Sequence, residues 1–61
     1  MSPIRDIDAP GALAEVEARA LLLWTKRENV FPAFTRMRWC DGTLEARYAT
    51  MQQAARELGY L

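Results

Sequence analysis

The sequence predicts a mostly α-helical fold: a small two-helix antiparallel hairpin with an aromatic-rich connection, one domain over residues 1–61 that can dimerise into a helical bundle. Three observations predict it. Residues 43–58, TLEARYATMQQAAREL, place Leu44, Tyr48, Met51, Ala55 and Leu58 at helical steps, within roughly 80° of arc at ~100° per residue. Residues 10–28 are rich in alanine, leucine, glutamate and arginine, all good helix formers. Between them, Pro32 and the pair Asp41–Gly42 break helical continuity.

In chain order, residues 1–9 read as an irregular arm whose Ile4 and Ile7 can pack on the helices. The first helix is expected over residues 10–28. Pro10 suits a first turn, where its missing N–H costs nothing, and Asp8 stands close enough to cap it. Glu15 and Glu17 lie early and Lys26 and Arg27 late, as the helix dipole favours. Glu15 and Arg19 have the spacing of an i,i+4 ion pair worth ~0.3–0.5 kcal/mol.

The faces of this helix are unusual. Leu13, Val16, Ala20, Leu23 and Trp24 form one apolar stripe, and Ala14, Ala18, Leu21 and Thr25 a second, with Leu22 beside it. A helix apolar on most sides must be covered on more than one side. The second helix covers one stripe, which leaves the other to the connection or to a second copy of the chain.

The connection, residues 29–42, carries Phe31, Phe34, Met37 and Trp39, expected to fold over the helix pair and seal its core. An α–β-hairpin–α arrangement competes with this reading. Residues 35–40 and 43–48 would then be strands around an Asp41–Gly42 turn, with Trp39 opposite Leu44 and Met37 opposite Ala46, at the cost of Arg36 opposite Arg47. In the helical reading of residues 43–58, Thr43 is the N-cap and Gly59 ends the helix.

A 61-residue chain is small for a self-sufficient core, burying only about 60% of the surface its unfolded form exposes. Cys40 is the single cysteine, so no internal disulfide can form, and the chain has no histidine and no cluster of soft ligands for a structural metal. Neither a metal nor a cofactor is expected. The extra burial should come from self-association, as a homodimer, or from docking on a larger protein. The N-terminus lacks the apolar core of a signal peptide, the longest apolar run of the first helix is residues 20–24, and a free cysteine suits a reducing compartment. The expected setting is cytoplasmic, with no membrane partner.

Charge is unevenly spread over a chain whose net charge is zero. Two arginines against four carboxylates leave residues 1–25 at −2; Lys26, Arg27, Arg36 and Arg38 against Glu28 give residues 26–40 +3; two arginines against three carboxylates leave residues 41–61 at −1. Cations set among aromatic residues suit nucleic acid, since the cations meet phosphates and rings stack on bases. The same residues also read as core aromatics with ordinary solvated cations, and opposite-sign segments are what an antiparallel self-association could use.

The end of the chain, QQAARELGYL, resembles the first helix and turn of a helix-turn-helix DNA-binding motif, with Ala54, Ala55, Leu58 and Gly59 at its small, apolar and turn positions. The sequence ends at Leu61, before the place of that motif's recognition helix, so the resemblance assigns no DNA-contacting residues.

Nothing in the sequence composes an enzyme. There is no histidine to act as a base, Cys40 has no histidine to activate it, and Gly11, Gly42 and Gly59 are too far apart for a phosphate loop. The expectation is a non-enzymatic protein–protein interaction module, a small regulatory, adaptor or inhibitor protein of bacterial or phage type, with Ala14, Ala18, Leu21, Leu22, Phe31, Phe34 and Trp39 as its partner interface. The alternative is a nucleic-acid-associated protein using the segment 26–39, with contacts from Lys26, Arg27, Arg36 and Arg38.

Overall fold

The computed structural model describes residues 4–32 and 36–61. Two helices, α1 (Ala12–Thr25) and α2 (Leu44–Leu58), carry the fold, with a short 3-10 turn at Trp39–Asp41 between them. No strand occurs among the described residues, so the mostly-α expectation holds. The β-hairpin alternative does not: Thr43 caps α2, and the residues that would have formed its second strand are helical.

Each helix ends as its local chemistry dictates. The Thr43 hydroxyl accepts the Ala46 N–H at 3.2 Å, which satisfies one of the donors left over in a first turn. At the other end of α2, Gly59 takes φ 88°, and the Gly59 and Tyr60 N–H groups reach back to Arg56 and Ala55. The start of α1 differs from expectation. Pro10 precedes the helix, Gly11 at φ 82° forms its N-cap without any side-chain cap, and the Asp8 N–H bonds Asp6 Oδ1. With the left-handed Gly11 interposed, neither Pro10 nor Asp8 reaches the first turn.

The helix pair closes on a core of Ala12, Val16, Ala20, Leu23, Ala54, Ala55 and Tyr60, with Trp39, Met51 and Leu58 packed against it. Four alanines among seven core residues allow the helix backbones to approach closely. Cross-helix contacts run in opposite order: Tyr60 meets Glu15, Glu57 meets Arg19, and Thr50 meets Asn29 beyond the end of α1. Among the described residues, two polar side chains are buried with partners. The Asn29 amide donates to Thr50 Oγ1 at 3.3 Å, and Thr50 donates to the Ala46 carbonyl at 2.8 Å. The Gln53 side chain holds the turn after α1, accepting the Val30 N–H and donating to the Glu28 carbonyl.

Several side chains depart from the sequence pattern. Leu44 and Tyr48 are 78% and 66% exposed, because α2 turns Thr50 and Ala54 inward and its apolar stripe meets the core only from Met51 onward. Leu13 is exposed and Ala12 is buried in its place. Ile4 and Ile7 remain exposed. Glu15 pairs with Arg5 at 3.1 Å, and Arg19 lies 3.6 Å from Glu57; both contacts are tertiary and replace the expected pair within α1.

The N-terminal arm is fixed through Arg5. Its N–H donates to the Gly59 carbonyl, its guanidinium donates to the Leu58 carbonyl, and Cζ lies 4.4 Å from the centre of the Tyr60 ring. The Tyr60 hydroxyl donates to Glu15 Oε1 at 2.5 Å. That hydrogen bond, reinforced by burial and opposed by the Arg5 cation, raises the Tyr60 phenol above its ordinary 10.0. A phenol with a raised folded-state pKa stabilises fully below its unfolded value, and that stabilisation is lost as pH rises through the folded one. Urea midpoints should therefore fall above about pH 10, and fall less in Tyr60→Phe. Equal slopes in the two proteins would show that this bond carries no linkage.

Candidate interaction surface

The residues of α1 divide by direction. Ala12, Val16, Ala20, Leu23 and Trp24 are buried against α2 and the connection. Ala14, Ala18, Leu21 and Thr25 lie within about 60° of arc on the opposite side, and all are exposed. Leu21 and Leu22 are 47% and 44% exposed, so the described residues cover the second stripe only in part.

One flank of this outer face runs into a groove of about 530 Å³. Its floor and walls come from Leu21, Trp24 and Thr25 of α1 and from Met37, Trp39 and Cys40 of the connection; Arg27, Arg36 and Arg38 stand around it. The groove exists because of two tryptophans. Trp24 and Trp39 meet edge to face, with ring centres 5.0 Å apart at 89°, and Trp24 Nε1 donates to the Met37 carbonyl at 2.8 Å. These contacts draw residues 36–40 over the end of α1 and bring together three cations that are separate in sequence.

No carboxylate lines the groove. Arg38 Nε lies 3.1 Å from Asp41, which sits just outside, and no ion pair engages Arg27 or Arg36 among the described residues. Arg27 also occupies the left-handed position after α1, at φ 57°, with its N–H bonded to the Trp24 carbonyl and the Glu28 N–H to that of Leu23. Glycine is the usual residue at such a helix end, since a Cβ there costs about 1 kcal/mol. Arg27→Gly should accordingly raise stability by ~1 kcal/mol in a urea titration while removing a cation from the groove. A loss of stability would mean that the Arg27 side chain holds the fold.

Of the residues expected at a partner interface, Ala14, Ala18 and Leu21 share the outer face of α1, and Leu22 lies at its edge, ~40° beyond Ala18. Trp39 is half-buried and packed on Trp24, so most of its ring serves the fold. Phe31 is exposed elsewhere, lining a second groove of about 390 Å³ with Met37, Thr43, Glu45 and Ala46. Phe34 lies outside the described residues. Of the four expected cations, Arg27, Arg36 and Arg38 converge, and Lys26 is exposed but does not line the groove. Met37 and Cys40 were not expected in such a site; only the packing of Trp39 on Trp24 places them there.

Among the described residues, no group of three or more His, Cys, Asp or Glu side chains is placed to hold a metal ion, and no helix is long and apolar enough to cross a membrane. No protein-family model, curated protein or solved structure matches this chain.

Proposed function

We propose that this protein is a non-enzymatic protein–protein interaction module whose working surface is the outer face of α1 together with the adjoining arginine groove. The observation that carries the reading is the exposure of Leu21 and Leu22 beside Ala14 and Ala18 on a face turned away from the core. Two half-exposed leucines on a flat, small-residue helix face leave apolar area in water that a partner would cover, at about 25 cal/mol per Å² buried. The partner is a protein: a second copy, giving a bundle of antiparallel helices, or a larger one. Exposed, unpaired Cys40 fits a reducing setting such as the cytoplasm.

A photo-reactive amino acid at position 21 or 22, introduced in cells of the native host, tests this. Protein adducts should form there and not at the exposed control position 45. The absence of any adduct at 21 and 22 would overturn the proposal.

One observation favours a second reading, binding of single-stranded nucleic acid: Arg27, Arg36 and Arg38 surround one groove beside Trp39, and Lys26 is near in sequence. Cations and a ring suit a phosphate backbone and its bases. On this reading a labelled oligonucleotide binds at low salt, loses affinity steeply as salt rises, and is released by Arg36→Ala with Arg38→Ala. No binding at low salt would dismiss it.

A further inference from the structure

The outer face of α1 carries an acidic group and a basic groove along one flank, separated by two turns of helix. We infer that the occupant of this surface is a second copy of the chain, with its α1 antiparallel to the first and Glu17 of each copy seated over the arginine groove of the other. The inference rests on the interaction-module reading and names its partner.

The geometry follows from the helix wheel. Glu17 lies ~40° from Leu21 around α1, on the same side as Trp24, which stands ~20° further on. The groove opens on that flank, against Leu21, Trp24 and Thr25. Glu17 and the groove therefore share one flank of the outer face, displaced along the helix by about 11 Å at 1.5 Å per residue. A two-fold axis perpendicular to a pair of antiparallel helices returns each flank to itself with its ends exchanged. Placed beside Leu21, midway between Glu17 and the groove, such an axis brings Glu17 of each copy over the groove of the other. The exposed leucine then sits at the centre of the contact, with a charge pair at each end.

The charges agree with this placement. Glu17 is exposed and its carboxylate has no hydrogen bond or ion pair among the described residues, whereas Glu15 is held by Arg5 and Tyr60, and Glu57 lies beside Arg19. The groove presents three guanidinium groups and no carboxylate. Over the whole chain the acidic and basic segments cancel to zero net charge, which suits a self-complementary pair. The apolar centre supplies the association, and the ion pairs fix its direction.

Charge exchange tests the pairing. In an isologous dimer, Glu17→Arg faces intact arginines, and Arg27→Glu with Arg36→Glu faces an intact Glu17, so each variant repels its own copy. A mixed dimer of the two restores attraction at both ends. Sedimentation equilibrium should show wild-type dimers that weaken with salt. Each variant alone should dimerise about tenfold or more less tightly, and the equimolar mixture should recover a one-to-one dimer. Circular dichroism of each variant verifies that it is folded; all three altered side chains are exposed.

A wild type that stays monomeric up to about 1 mM, or a mixture no tighter than either variant, would overturn the inference. So would a monomer whose groove retains a single-stranded oligonucleotide. If the wild type is monomeric and position 21 still traps a different protein in cells, the antiparallel self-pair fails and the interaction-module reading stands.

Discussion

Trp24→Ala is expected to unfold most of the isolated chain at room temperature. Trp24 is 3% exposed, the largest buried side chain in a core otherwise built mainly from alanine. Truncating a buried tryptophan costs ~3–5 kcal/mol, as lost transfer energy plus the cavity left behind. A domain of this size has a total stability of roughly 3–9 kcal/mol, so the loss is comparable with the whole. The indole also does what no alkyl group can. It presents an edge to Trp39 and donates to the Met37 carbonyl, and these contacts hold the connection against α1. Trp24→Phe keeps a ring but orphans that carbonyl, and should cost less, about 1–3 kcal/mol. Urea titrations followed by far-ultraviolet circular dichroism would order the three proteins. A Trp24→Ala protein with a wild-type midpoint would mean that the connection is held by something other than the indole.

The features legible in the sequence were the ones whose cause is local. The Thr43 cap and the Gly59 terminus depend on residues within one turn, and both are present. The start of α1 lies at Ala12, two residues past Pro10, because Gly11, at φ 82°, separates the proline from the helix. The direction of α2 was less legible. A periodic apolar stripe shows that a helix is amphipathic, not that its whole length meets the core. Thr50 could turn inward because the Ala46 carbonyl of its own helix satisfies the hydroxyl, and this left Leu44 and Tyr48 outside. The outer stripe of α1 was readable, because five apolar or neutral residues on one side of a short helix exceed what one neighbour covers. The groove was readable only in part. The cations stand in the sequence, but their convergence depends on one ring-on-ring contact between residues 24 and 39.

Gly42→Ala should destabilise the protein by about 1–3 kcal/mol, lowering its melting temperature by roughly 4–8 °C for each kcal/mol. The cause is steric. Gly42 has φ −71° and ψ 154°, a conformation open to any residue, so alanine carries no backbone penalty there. Its Cβ would lie 2.6 Å from Cη2 and 2.8 Å from Cζ2 of Trp24, and 3.3 Å from the Trp39 carbonyl oxygen. The ring has little room to retreat, because its N–H is committed to the Met37 carbonyl and its edge to Trp39. Without that clash, alanine would stabilise by ~0.4–1 kcal/mol through the entropy of the unfolded chain, so the sign of the effect is itself informative. The pair Gly42→Ala and Trp24→Phe separates the causes. A phenyl ring lacks the two carbons that the new methyl would strike, so Gly42→Ala should cost clearly less in the Trp24→Phe background than beside the native indole, a cost below the sum of the two single changes in a double-mutant cycle. Equal costs in both backgrounds would mean that the methyl acts through the connection's backbone and not through the ring.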